Sequence, residues 1–179
     1  MPIRASALAR YAALALPLLT LAGCAGDGEQ YAPPCPKLAL LPEASDVATY
    51  AGTGRDLTDL VFQARIVGVP ARCARGDPGI VAATLRVGFD LTRGPADKSR
   101  EIDLPYFVGV AEGSHILDEH DYVLHAIFPP NVDERRADSD EISLNLPVSK
   151  DKNASAYSIY VGFRLSPEQL QQNRAHPAR

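Results

Sequence analysis

The sequence predicts an all-β domain, an antiparallel β-sandwich of about seven strands closed by a short C-terminal helix. Three observations carry that prediction. Long runs alternate apolar and polar residues with a period of two. Clusters of Gly, Pro and Asn punctuate them. One stretch alone, SPEQLQQNR from Ser166, carries a clear helix-start signature.

Lys37 to Leu41 reads as a short edge strand, and a short helix is expected within Pro42 to Gly52. Leu57 to Val69 is a strand with apolar residues on both faces, as expected of a central strand covered twice. Ile80 to Leu91 reads as one long strand. Val81, Ala83, Leu85, Val87, Phe89 and Leu91 share one side, with Thr84, Arg86 and Asp90 on the other. Glu101 to Ala111 sets Ile102, Leu104, Tyr106, Val108 and Val110 on one face, and Glu112-Gly113-Ser114 turns the chain into His115 to Phe128. Asn131 to Asp140 is expected to be a charged, solvated loop. Glu141 to Val148 and Ser155 to Leu165 complete the strands. In the final helix Ser166 caps, Pro167 suits the first position and Gln169 completes a capping box. The strands could also close as a barrel. Their unequal lengths and long connections favour two stacked sheets, immunoglobulin-like or similar.

The chain begins differently. Arg4 and Arg10 precede Tyr11 to Ala22, an apolar run interrupted by Pro17 and Thr20 and too short for a comfortable membrane span. It ends in Leu21-Ala22-Gly23-Cys24, which resembles the lipobox of bacterial lipoproteins. The resemblance implies cleavage before Cys24 and lipidation of the Cys24 thiol. Together with acylation of the new amino group, that gives a stable membrane anchor. Ala25 after the cysteine implies the outer membrane, facing the periplasm, with the inner membrane as the alternative. The segments LPYFVGV, ILDEHDYVLHAIFPPN and YVGFRLSPEQL are similar to uncharacterised proteobacterial lipoproteins, from which no activity carries over. The expected organisation is a signal peptide over 1–23, a tether over 24–36, the sandwich over 37–166 and the helix and tail over 167–179.

Removing residues 1–23 leaves 16 basic and 22 acidic residues, a net charge of −6. An acidic, interspersed surface argues against nucleic acid as a partner. With Cys24 consumed by lipid, Cys35 and Cys73 are expected to pair as a disulfide. Two free thiols or half of a metal site are the alternatives. A loop of that length gives about 4 kcal/mol in the chain-entropy model.

The sequence marks no catalytic set. Ser114 beside His115 lacks a nucleophile elbow, and YAGTGRDLTDL from Tyr50 matches no phosphate-binding loop. The richest cluster of potential ligands is HILDEHD, where His115, His120 and Asp121 are the nearest approach to a metal set. Steps of five residues along a strand alternate faces, so no metal site is expected there, and no cofactor is implied. His176 belongs to the tail. The expectation is a non-enzymatic, lipid-anchored envelope protein of structural or binding type, an accessory subunit with a protein partner. The alternative is a small-ligand or metal binder centred on His115 to Asp121.

Overall fold

A computed structural model describes residues 33–175; Cys24, Ala25, His176 and the rest of both termini lie outside the described residues. Eleven strands are present among them, followed by one helix. These are β1 (Lys37–Leu40), β2 (Asp46–Tyr50), β3 (Leu60–Gly68), β4 (Ala71–Arg75), β5 (Ile80–Leu85), β6 (Gly88–Arg93), β7 (Glu101–Glu112), β8 (His115–Ile127), β9 (Glu134–Asp138), β10 (Ile142–Pro147), β11 (Tyr157–Phe163) and α1 (Pro167–Ala175). The fold is an all-β, sandwich-like arrangement with a short C-terminal helix.

One sheet has the order β1-β11-β7-β8; the others run β2-β3-β6-β9 and β10-β5-β4. The second and third sheets are two halves of one bent layer. β3 runs into β4 through Val69-Pro70, β5 into β6 through Arg86-Val87, and β9 into β10 through residues 139–141. The bend is held across the strands. The Arg86 N–H donates to the Pro70 carbonyl at 3.1 Å and the Ser139 N–H to the Val87 carbonyl at 2.8 Å. The Val87 N–H donates to Ser139 Oγ at 2.9 Å. Strands that switch sheets at a bend make the corners of such packings.

The bend corrects the reading of Ile80 to Leu91 as one strand. Its face assignment holds, since Val81, Ala83, Leu85, Val87, Phe89 and Leu91 are all buried. The corner keeps side-chain parity, so a period of two runs through it unbroken. β2, β4 and β9 are further additions. β2 stands where a short helix was expected, and only a 3-10 turn, Pro42–Ala44, precedes it. β9 lies inside the expected charged loop. Its sequence ERRAD offers little apolar alternation because it borders the sheet beside β6, half in solvent. β4, ARCAR, is masked in the same way.

β3 is central, between β2 and β6, but it is covered on one face only. Gln63 and Arg65 stay exposed while Ala64 and Ile66 are buried. The open face carries a ladder of charge. Asp46, Arg65, Asp90 and Arg136 are successive cross-strand partners. Arg136 Nε donates to Asp90 Oδ1 at 2.7 Å. That hydrogen bond, with the Arg136 and Arg65 charges, holds the Asp90 carboxyl below its ordinary value against a smaller opposing effect of burial. Opposite charges directly across strands also fix register.

One apolar core lies between the first sheet and the bent layer. Phe89 packs edge-on to Tyr106 at 5.2 Å, and Tyr106 stacks on Tyr122 at 5.4 Å. The connection from β6 to β7 is clamped by the buried Asp97. Its carboxylate accepts from Arg93 Nε at 2.7 Å, the Ser99 N–H at 3.0 Å and the Arg100 N–H at 3.1 Å. Burial alone would push this carboxyl up. The Ser99 N–H, the Arg93 guanidinium, the Ser99 hydroxyl and the Arg100 N–H together hold it below its ordinary value.

The expected capping box is present in α1. The Ser166 N–H donates to Gln169 Oε1 at 2.9 Å, and the Gln169 N–H donates to Ser166 Oγ at 3.2 Å. One turn apart on α1, Gln169 and Asn173 donate to the carbonyls of Ala48 and Asp46 at 3.3 and 2.7 Å. The helix buries no residue of its own. It covers the β2 edge with side-chain amides, one way of blunting a sheet edge.

Candidate functional site

A two-layer fold has two lateral seams where sheet edges face each other. On one side β1 and β4 are the edges, and the Cys35–Cys73 disulfide joins the chain entering β1 to β4 with Cα atoms 5.7 Å apart. The expected pairing of these cysteines is thus present. On the other side β8 and β10 are the edges, and a cleft of about 650 Å³ opens between them.

The cleft follows from hairpin length. β8 is the longest strand, at 13 residues, and its even-numbered residues from 118 to 126 share the inward face. Leu124 and Ala126 are buried, Tyr122 is half-buried, and His120 and Asp118 are exposed. The inward face of the strand therefore outruns the core. Beyond Tyr122 it looks into the cleft, opposite Ser143 to Pro147 of β10. Tyr157 forms part of the floor, with its hydroxyl donating to the Pro147 carbonyl at 2.6 Å. Lys152 sits at the rim, 2.6 Å from the Glu112 carboxylate and 4.3 Å from the centre of the Tyr157 ring. Glu112 first, then Tyr157, push the Lys152 ammonium pKa up. Burial, with a smaller contribution from Asp118, pushes the Tyr122 hydroxyl up.

The backbone of β8 is open along this seam. The Phe128 N–H donates to the Arg100 carbonyl, and unbroken register carries that pairing back to Val108 and His120. In an antiparallel ladder, alternate residues turn both backbone groups to the partner strand. Even-numbered residues 120–126 thus face β7, and odd-numbered ones face the free edge. Arg135 covers one end by donating to the Ile127 carbonyl. Asp118 covers the other by accepting the Glu119 N–H at 2.9 Å. Between them, among the described residues, Asp121, Val123 and His125 present edge groups that no strand takes up. A register shift beside Val110 marks a bulge at Leu117, near the hairpin tip. Ile116, Leu117, Val123 and Ile127 are 71, 52, 49 and 62 % exposed, which puts most of the large exposed apolar side chains among the described residues on this one strand.

The structure does not bring the candidate metal ligands together. His120 Nε2 lies 2.9 Å from Asp118 Oδ2 on the inward face. Asp121 points outward, accepting from Arg164 Nε at 2.5 Å. His115 stands at the hairpin turn, across from Glu112. Among the described residues no three His, Cys, Asp or Glu side chains are placed to hold a metal ion. His125 pairs with Asp103 across the outer face at 2.6 Å. Glu112, Lys152 and Tyr157 were not singled out from the sequence as site residues. A usable signal was present, however: Asp118 and His120 carry the parity of Tyr122 and Leu124, and polar residues at core parity mark where a strand outruns its core.

No protein-family model, curated protein or solved structure matches the chain.

Proposed function

We propose that this is a lipid-anchored envelope lipoprotein of binding or structural type, held at Cys24 and facing the periplasm from the outer membrane, which docks other envelope proteins along the β8–β10 seam. The anchor rests on the Leu21-Ala22-Gly23-Cys24 motif and the outer-membrane placement on Ala25. The observation that carries the docking role is the inequality of the seams. One is joined by a disulfide, and the other is an open cleft beneath the free backbone of the longest strand. Unpaired edge backbone is a template for an added strand. An accessory subunit needs such a surface and no catalytic group.

The test is photo-crosslinking in cells with the probe placed at Val123 and, separately, at Gln63 on the charge-ladder face. The expected result is one recurrent envelope protein captured from Val123, absent from Gln63, and lost when Cys24→Ala removes the anchor. Equal capture from both positions, or none from either, overturns the reading.

A further inference from the structure

Building on that docking role, we propose that the occupant of the seam is an extended, basic segment of a partner protein, added as a fifth strand beside β8 with one large apolar side chain entering the cleft next to Tyr122.

Every other edge among the described residues is short or engaged. β2 is covered by α1, β1 and β4 are joined by the disulfide, β9 has five residues and β10 ends in Pro147. β8, the longest strand, offers consecutive open edge positions beside the cleft, at Asp121, Val123 and His125. A strand paired there has its side chains alternate between two environments. Those on the inward side fall over the cleft, whose floor of Val110, Leu144, Leu146 and Tyr157 suits an apolar group. Those on the outward side lie along Glu119, Asp121, Val123 and His125.

Charge selects among occupants. With the histidines counted as neutral, Asp118, Glu119, Asp121 and Asp103 flank the open positions, against Arg164, which Glu119 and Asp121 share; Lys152 at the rim is matched by Glu112, and Arg135 lies at the end of the edge, on the Ile127 carbonyl. Lysine or arginine side chains at alternate positions offset that excess, whereas an acidic strand is repelled. A second copy of the chain brings the same acidic excess to the edge instead of offsetting it, and the inward-pointing Asp118 and His120 are polar guards of the kind that discourage edge-to-edge association.

The test is a random ten-residue peptide library panned against the disulfide-intact protein, with the best peptides then examined by amide exchange. The expected binders alternate Lys or Arg with apolar residues and slow the exchange of the Asp121, Val123 and His125 amides. Val123→Pro removes an edge N–H that the fold does not use, so thermal stability stays unchanged while affinity falls about tenfold. Binders that protect the same amides without a basic bias overturn this inference and leave the seam reading standing. An absence of binders, or protection elsewhere, overturns both. Protection of these amides by self-association, without peptide, assigns the edge to a second copy and overturns the inference.

Discussion

The two seams of this sandwich are built from the same materials and end differently. At the β1–β4 side the edge strands are four and five residues long, and a covalent bond spans the layers. At the β8–β10 side the strand runs well past the core and carries charge on its inward face. Sealing an edge needs a short strand and a cross-link. Keeping one available needs length, and it needs charges that discourage the wrong partner. The difference separates the stability of the fold from its capacity to bind, and each can be perturbed without the other.

The strongest way to break the contrast is to open the closed seam. Replacing Cys35 and Cys73 together by Ser is expected to cost about 4 kcal/mol, read by denaturant unfolding. Exchange should accelerate first in β1 and β4. Equal loss of protection in the β7–β8 hairpin would show that the disulfide supports the whole sandwich rather than one side.

The next effect is at the Asp97 clamp, which fixes the base of that hairpin. Asp97→Ala is expected to destabilise by about 3 kcal/mol, because Arg93 and two backbone donors lose their acceptor in a buried place. The sign with pH follows from the lowered carboxyl. Its contribution is complete above the unfolded-state value of about 4 and is lost as pH falls through the lower folded value. Asp97→Asn should flatten that acid limb; an unchanged limb would place the acid sensitivity elsewhere.

A smaller and more specific effect is predicted at the open seam. Replacing Asp118 by Leu and His120 by Val removes the inward polar groups and frees the Glu119 N–H. The melt should hold or rise, while sedimentation shows concentration-dependent association through β8. A strictly monomeric double variant would mean that these two side chains guard nothing. The smallest effect belongs to the ladder face. Asp90→Asn should leave the melting temperature nearly unchanged at physiological salt, with a deficit that grows as salt is lowered. A large, salt-independent loss would contradict a screened surface ladder.

The sequence exposes the core strands and conceals the borders. β10 and the first half of β7 were legible because one face is buried and the other solvated; the rest of β7 and β11 are covered on both faces, and there large apolar residues alternating with small or polar ones carried the pattern. β2, β4 and β9 were not, because such short, part-exposed strands bury too few side chains to impose a pattern. The break between β5 and β6 was hidden because the corner preserves parity. Its signal lies in other parts of the chain, at Pro70 and Ser139, which bond to Arg86 and Val87. For the seam, β8 was legible as a strand and its polar cluster as unusual. That Asp118 and His120 face β10 depends on contacts between residues some 25 positions apart, which periodicity does not encode.

The disulfide has a mechanical consequence as well. Cys35 sits two residues ahead of β1, where the described chain enters the fold. Tension arriving from the N-terminal direction meets this bond before it reaches the four-residue β1–β11 ladder. The load passes through sulfur to β4, which is hydrogen-bonded along its length to β5. A pull that would otherwise peel a short strand off the edge is thus shared between both layers, and β1 is relieved of bearing it alone.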